Sequence, residues 1–486
     1  MSSITAESSA VPGPAATTDD EVAGQRRRTE LLMLLFAFGL VIFAFLNVGF
    51  SFKGSVPAGI FSYLFFYAIS MLAAHVAIRW LTPYADPLLL PLAALLNGLG
   101  LVMLYRLQES GRNGNPGFTI STLTTSATFV QMIWTIVGVG AFIAVLFIIK
   151  EARVLQRYIY TFGIAGMVLI GLPAILPDSI SEVNGAKIQI SFAGFTVQPE
   201  EFGKILLAVF FAGYLVNKRD ALKLTGRRVL GIDLPRGRDL GPILVIWAVA
   251  LLLLVFESDI GTSSLFMGLF VAMLYLATSR TSWLLIGFVL FIAGAFTAAK
   301  LFSHVDARFI VWLHPFSESL YNGTPIIQGI GYQTAQGLEG LGYGGILGRG
   351  LGGGMPYLTS LAQSDMIVTA FGEELGLAGL MAMLLIYGLI VQRGLRIALT
   401  IKDPFSKLLA GGLAFMIALQ LFVIVGGVSK LIPLTGITTP FLSQGGSSLI
   451  GSWIIIGLFA RLSDTARRPA PRPIQEEGLT QVVNLQ

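Results

Sequence analysis

Apolar runs of about 20 residues recur along this chain, and they constrain its fold more than any other feature of the sequence. The runs lie near residues 31–50, 61–81, 86–106, 129–149, 157–177, 200–216, 240–256, 260–278, 282–300, 366–392, 405–429 and 440–461. Such a run crosses a bilayer as a helix, because lipid offers no hydrogen-bond partner to exposed backbone groups. The sequence therefore predicts an all-α polytopic membrane protein with about twelve transmembrane helices.

Charged residues are scarce, at 12% of the 486 residues, whereas soluble domains carry about 25%. So few charges could not cover a water-exposed surface, which excludes a soluble enzyme and a disordered scaffold. The net charge is +5, and most Lys and Arg fall on the cytoplasmic side when the N-terminus is placed there, including the dense loop 218–238. We therefore expect both termini in the cytoplasm. We expect no nucleic-acid partner, since the membrane topology explains the excess of Lys and Arg.

Two polar tails and one long loop interrupt this pattern. Residues 1–29 are rich in Ser, Ala and Pro and predict a disordered cytoplasmic tail, and residues 466–486 predict a flexible one. The loop of about residues 301–365 is predicted to be extracellular and holds thirteen glycines between Gly323 and Gly354. Long loops in compact proteins are usually functional or disordered, and this one could fold back onto the helices.

Ionisable groups at membrane depth are costly and mark candidate functional sites. Lys204 follows Gln198, Pro199, Glu200 and Glu201 at the start of an apolar run. One interpretation is a capped helix with an ion pair from a glutamate to Lys204 at a spacing of three or four residues. The other directs the same lysine into a polar cavity, where it holds a phosphate. The local sequence leaves both open.

Further charged groups border the predicted outer surface. Glu257 and Asp259 separate two apolar runs, where a tight turn needs polar residues in any case. Asp365 begins a predicted helix and could cap it. Arg308 and Glu318 lie in the long loop beside the bilayer.

Several reaction classes are excluded by what the sequence lacks. The chain has no cysteine, no S-x-x-K and no G-K-[ST] after its glycines, and its three histidines form no H-E-x-x-H. These absences argue against thiolate chemistry, serine transpeptidation, nucleotide binding and zinc hydrolysis.

A set of segments in a fixed order resembles the SEDS family, the RodA and FtsW type of peptidoglycan glycosyltransferase. They are Asn184-Gly185-Ala186-Lys187, Gln198 to Lys204, Glu257 to Thr262, Gly331-Tyr332-Gln333, Ser364 to Ile367, Gly372 to Gly376, Pro433 to Gly436 and Pro440 to Ser448. The short C-terminal tail favours the RodA type. Because the family has ten spans, the resemblance implies two extra helices within residues 30–125 and a SEDS core over residues 126–465.

The resemblance implies polymerisation of lipid II into glycan strands for cell elongation and shape, at the outer face of the bacterial cytoplasmic membrane. Glu318 aligns with the essential aspartate of the family and is the expected general base. Further substrate-binding candidates lie on matched or neighbouring segments: Lys187, Lys204 and Arg308 for the diphosphate, Glu201 and Asp365 to orient these cations, and Gln198 and Ser443. A divalent cation, Mg²⁺ or Mn²⁺, could share the charge, and no nucleotide is needed. The implied partners are lipid II, the nascent glycan strand, membrane lipid and a class B penicillin-binding protein transpeptidase.

Three positions depart from the family pattern. Gln189 stands where the family usually has tryptophan, Gln444 where it has tyrosine, and Glu318 where it has aspartate. These departures keep an inactive scaffolding homologue as one alternative. Many spans with buried charges keep a flippase for lipid-linked precursors as another.

Overall fold

The computed structural model describes residues 19–54, 56, 59–110, 126–183, 186–187, 189–192, 195–223, 225–229, 232–235, 260–317 and 325–469. Helices dominate these ranges. They are α1 (Asp19–Lys53), α2 (Gly59–Leu81), α3 (Leu89–Ser110), α4 (Ala127–Ile148), α5 (Arg153–Gln156), α6 (Ile159–Ile175), α7 (Asp178–Ser181), α8 (Glu200–Lys223), α9 (Ile260–Thr278), α10 (Ser282–Leu301), α11 (Ser303–Leu313), α12 (Pro325–Gly344), α13 (Ile367–Thr400), α14 (Pro404–Val428) and α15 (Gly446–Arg467), with a 3-10 turn at Pro356–Leu358.

Three short antiparallel hairpins occur in the polar connections. They are β1 (Glu182–Val183) with β2 (Ala186–Lys187), β3 (Ile190–Phe192) with β4 (Phe195–Val197), and β5 (Thr225–Val229) with β6 (Ile232–Pro235). The sequence prediction did not include them, because apolar run length identifies only the spans. They leave the helical architecture unchanged.

Nine helices in the described part of the chain are long and apolar enough to cross a membrane. They are α1, α2, α3, α4, α9, α10, α13, α14 and α15. Helix α6 is apolar but shorter, and α8 occupies the predicted run 200–216. The run 240–256 lies outside the described residues. The prediction of a multi-pass helical membrane protein is confirmed, while the count of twelve and the orientation of the termini stay predictions.

Helix boundaries follow local chemistry. Asp403 caps α14 by accepting a hydrogen bond from the Ser406 amide at 3.0 Å, and Pro404 takes the first helical position. Burial opposes ionisation of Asp403, but hydrogen bonds from Ser406 and from Arg153 outweigh it and lower the pKa of this carboxyl. At α13 the expected cap was wrong: the cap residue is Met366, without a side-chain bond, and Asp365 precedes it.

One tightly packed part of the core lies where α3, α4 and α15 meet. Trp453 on α15 is fully buried, and its ring packs where a side chain on Gly138 of α4 would stand. The indole Nε1 donates to Asn97 Oδ1 at 3.2 Å, and Asn97 Nδ2 donates to Thr135 at 3.2 Å. A small residue and a satisfied polar network thus let these three helices approach closely.

As predicted, the glycine-rich part of the long loop folds back onto the helices. Residues 345–350 run along α13 at a kink centred on Gly376, whose φ is 68° and ψ is −172°. The Arg349 and Gly350 amides donate to the carbonyls of residues 373 and 374, and the amides of residues 377 and 378 donate to the carbonyls of residues 345 and 346. The glycine-rich segment thereby satisfies backbone groups that the broken helix leaves free.

Candidate active site

The connection between α14 and α15, residues 429–445, is the point where most of the predicted site residues meet. Pro433 and Pro440 lack an amide hydrogen, and Gly436 has φ of 80°, so this stretch does not continue either helix. Its carbonyl groups remain available and accept hydrogen bonds from side chains on other helices. Backbone that is irregular yet enclosed by helices is typical of binding sites in membrane proteins.

Lys204 and Glu201 form a buried ion pair one turn apart on α8. Lys204 Nζ also donates to Gln420 Oε1 on α14 at 3.1 Å, and Gln420 Nε2 donates to the Thr438 carbonyl at 3.0 Å. The pair is therefore linked to the 429–445 connection through one amide side chain. The ion-pair interpretation of Lys204 is confirmed.

Lys204 also lines a small cavity. The other residues lining it are Tyr387, Ile390, Ile417, Gln420, Pro440, Phe441, Ser452 and Ile455. Most of these side chains are apolar. The described surroundings of Lys204 are thus an ion pair beside a mainly apolar cavity, not a wide polar one.

Ser443 links the 429–445 connection by a hydrogen bond to the residues that precede α13. Its Oγ donates to the Ser364 carbonyl at 2.6 Å and accepts from the Thr439 amide at 2.8 Å. Gln131 on α4 holds the same stretch from the other side, because its Nε2 donates to the Ser443 carbonyl at 3.1 Å and its Oε1 accepts from the Gly445 amide at 3.2 Å. Ser443 therefore positions the backbone beside Asp365.

Arg308 and Asp365 approach the connection at Gly436. Arg308 Nη1 on α11 donates to the Leu434 carbonyl at 2.6 Å. A Cβ atom built on Gly436 would lie 3.5 Å from Asp365 Oδ2 and 3.7 Å from both Nη atoms of Arg308. A cation and a carboxylate thus flank one glycine whose conformation also requires it to be glycine.

The remaining predicted residues make no described side-chain contact with the 429–445 connection. The Gln198 amide, just before α8, donates to Ser447 Oγ at 2.9 Å, so the contact uses its backbone. Lys187 lies in β2, where it pairs with Glu182 in the strand register. Glu318 lies outside the described residues, as do Glu257 and Asp259. Their predicted roles stay predictions.

A buried ion pair outside the predicted set of site residues joins α3 to α13. Arg106 Nε on α3 donates to Glu374 Oε1 at 2.5 Å, and Arg106 Nη2 donates to the Gly354 carbonyl at 2.7 Å. Both side chains are almost fully buried. Glu373 accepts from the Met355 amide at 2.5 Å, which adds a second tie to the glycine-rich segment.

The signal for this pair was present in the sequence. Arg106 is an arginine at the end of a predicted span, and Glu374 is a carboxylate within the predicted apolar run 366–392. The amides Gln131 and Gln420 carry no charge, so the principle that ionisable groups at membrane depth mark functional sites does not point to them.

Chemically, the site brings cations and carboxylates to one enclosed stretch of backbone. Arg308 can stabilise an anion, and Asp365 and Glu201 can orient the basic groups. No group of three or more His, Asp or Glu side chains in the described ranges could hold a metal ion. The divalent cation therefore stays a prediction, and no step below uses it.

The chain is similar to known proteins over most of its length. The profile of the family described as Cell cycle protein, covering FtsW, RodA and SpoVE, matches residues 86–468. The chain is 46% identical over 460 residues to the peptidoglycan glycosyltransferase RodA of Mycobacterium tuberculosis, covering 94% of each chain. It is 29% identical over 382 residues to the probable peptidoglycan glycosyltransferase FtsW of Geobacter metallireducens, covering 78% of this chain and 94% of that one.

Solved structures share the fold at lower identity. The rod shape determining protein RodA of Thermus thermophilus matches with a TM-score of 0.52 at 20% identity, over 81% of this chain and 100% of that one. A chain from a study of how a peptidoglycan synthase complex coordinates polymerization and crosslinking matches with a TM-score of 0.52 at 20% identity, over 84% of this chain and 98% of that one.

Proposed function

Because the chain belongs to the Cell cycle protein family of FtsW, RodA and SpoVE, we propose that it is a peptidoglycan glycosyltransferase of the RodA type that polymerises lipid II for cell elongation and shape. One observation carries the proposal: 46% identity to a peptidoglycan glycosyltransferase RodA over 94% of both chains. The chain is a multi-pass protein of the bacterial cytoplasmic membrane, and the substrate side of the site is its predicted outer face.

The reaction needs a base and an anion site. The 4-hydroxyl of the acceptor sugar attacks the anomeric carbon of the donor, and the bond from that carbon to the diphosphate oxygen breaks. Glu318 takes the proton from the hydroxyl, and undecaprenyl diphosphate leaves with the bonding electrons. A glutamate in an ordinary environment is ionised at neutral pH and can accept this proton.

Cations at the 429–445 connection stabilise the leaving diphosphate. Arg308 suits this role better than Lys204, because Lys204 is already neutralised by Glu201 and linked to Gln420. Lys187 is a further candidate. Asp365 orients the arginine, while Ser443 and the backbone of Gln198 hold the surrounding loop in place.

A transpeptidase partner and lipid complete the proposal. The chain has no serine transpeptidase motif, so crosslinking of the glycan is left to a class B penicillin-binding protein. The fold similarity to a chain from a peptidoglycan synthase complex supports such a partnership. Apolar grooves between the helices hold the polyprenyl tail of the substrate.

The test is reconstitution of the purified full chain with labelled lipid II. The wild-type protein is expected to make glycan ladders, and Glu318→Gln is expected to lower the rate by about 10²–10⁴-fold, the usual contribution of a general base. Glu339→Gln is the matched control, because Glu339 is exposed on α12. Lipid translocation without polymer would support a flippase, neither activity a scaffold, and a Glu318→Gln protein at wild-type rate would remove Glu318 from the role.

A further inference from the structure

Lys430 occupies a backbone conformation that normally belongs to glycine. It follows the C-terminal end of α14 and has φ of 63°. Its amide donates to the Gly427 carbonyl at 3.3 Å, and the Leu431 amide donates to the Gly426 carbonyl at 2.8 Å. Such helix ends favour glycine, because a Cβ atom is strained in the left-handed region. A lysine therefore stands at a position where glycine would be less strained.

The side chain of Lys430 borders a pocket next to the site described above. The pocket is lined by Arg308, Val311, Trp312, Ile330, Thr334, Gly427, Lys430, Ile432 and Leu434. Lys430 is exposed, and no carboxylate in the described part of the chain lies within the 4.0 Å of an ion pair. Arg308 and Lys430 are thus two cations on one small pocket, and Asp365 lies beside Arg308 across Gly436.

Both cations are positioned by the same two elements. Trp312 Nε1 on α11 donates to the Lys430 carbonyl at 3.1 Å, and Arg308, one turn earlier on α11, donates to the Leu434 carbonyl at 2.6 Å. Helix α11 is therefore tied at two points to the turn after α14. The arginine is held rigidly by this bond, whereas the lysine stem is free to reach a bound group.

We propose that Lys430 and Arg308 form a diphosphate-binding subsite that takes the polyprenyl diphosphate group of the lipid-linked donor. This inference rests on the proposed function and adds to it a residue that no matched motif contains. A diphosphate presents several oxygens and at least two negative charges, so it suits two cations better than one.

The first experiment separates the charge of Lys430 from its backbone strain. Lys430→Gly relieves the strain, so its thermal unfolding midpoint is expected at or above that of the wild type. Its KM for lipid II is expected to rise about tenfold, the effect of losing one charge-assisted hydrogen bond. Lys430→Arg is expected to keep a KM near the wild-type value, and inhibition by added undecaprenyl diphosphate is expected to weaken in Lys430→Gly.

Two control variants match the two effects of Lys430→Gly, which are the relief of backbone strain and the loss of a positive charge. Ser279→Gly relieves the same strain at the end of α9, where Ser279 has φ of 58°, without changing charge. Lys407→Gln removes an exposed lysine from the opposite end of α14 and so matches the loss of charge in Lys430→Gly. Both controls are expected to leave KM unchanged. An unchanged KM and inhibition in Lys430→Gly would overturn the subsite.

Further outcomes distinguish the subsite from the proposed function. If the wild-type protein makes no polymer, the proposed function fails, and binding of undecaprenyl diphosphate measured by tryptophan fluorescence still tests the subsite by comparing wild type with Lys430→Gly. If vesicles rich in phosphatidylglycerol abolish the difference between the two proteins, the pocket holds bilayer headgroups and the assignment to the donor diphosphate is wrong.

Discussion

At the scale of single residues, the site depends on polar groups that are buried in pairs. Lys204 neutralises Glu201 and donates to Gln420, and Arg106 neutralises Glu374. A lone charge at such a depth would be very costly, whereas a paired one is tolerated. The first pair is linked through Gln420 to the 429–445 connection, and the second ties α3 to α13 and to the Gly354 carbonyl.

Replacement of Lys204 tests this dependence. Lys204→Met leaves the Glu201 carboxylate buried without a cation, and we expect a loss of about 3–5 kcal/mol in the free energy of unfolding. The double variant Glu201→Gln/Lys204→Met is expected to regain most of that loss, because no charge is left unpaired. Thermal unfolding in detergent measures both.

A polymerisation assay on the same variants then separates an effect on folding from an effect on activity. We expect the double variant to remain slow with lipid II, because the link from Lys204 through Gln420 to the Thr438 carbonyl is absent. Lys407→Met, at an exposed position, serves as the control. A double variant that is stable and fully active would show that the pair acts only in folding.

At the scale of elements, the break in α13 is the feature on which the glycine-rich segment depends. Gly376 has a backbone conformation that is essentially restricted to glycine. Four backbone hydrogen bonds join the kink to residues 345–350, and Arg106 ties Glu374 to the Gly354 carbonyl. A pattern of apolar residues cannot report such a break, because the kink lies within the single predicted apolar run 366–392.

A glycine pair within α13 tests the kink. Gly376→Ala would place a Cβ atom 2.3 Å from the Gly348 amide nitrogen, and we expect a loss of at least about 2 kcal/mol from backbone strain and this clash. Gly388→Ala has no atom within 4 Å of the new Cβ and is expected to be neutral or stabilising by about 0.5–1 kcal/mol. Equal unfolding midpoints for the two variants would contradict a required kink.

At the scale of the whole molecule, α1 and α2 are built into the family fold although they precede the matched residues 86–468. Arg27 at one end of α1 donates to the Ala85 carbonyl, while Ser51 at the other end donates to the Leu351 carbonyl at 2.9 Å. Phe52 also lies 4.5 Å from the Arg106 guanidinium. Helix α1 thus contacts both the residue that borders the matched region and the glycine-rich segment.

The packing of α1 on α3 can be tested at one glycine. Gly98→Leu would push against Val41 and Tyr67, since even a Cβ atom would lie 2.3 Å from Val41 Cγ2. We expect overpacking to cost about 1–3 kcal/mol of unfolding free energy. Gly39→Leu is the control because nothing lies within 4 Å of its Cβ. Similar unfolding of both proteins would mean that α1 is not packed on α3 in the membrane.

Much of the fold was predictable from the sequence, and less of the site. The spans were found because a bilayer demands long apolar helices, and the order of motifs identified the family. Lys204, Arg308, Asp365 and Ser443 were site candidates from the sequence, and the structure brings them to the 429–445 connection, while their roles stay predictions. The hairpins, the cap at Met366 and the kink at Gly376 were not predicted, because each depends on local backbone geometry.

The sequence by itself determined the environment of this protein, since the length and repetition of its apolar runs admit only a helical solution in lipid. Only the tertiary structure decided which groups share a site. Arg106 and Glu374 lie 268 positions apart, and Gln131 and Ser443 lie 312 apart. Such contacts are set by how helices pack and where connecting backbone is irregular, and neither property is written in a local pattern of apolar and polar residues.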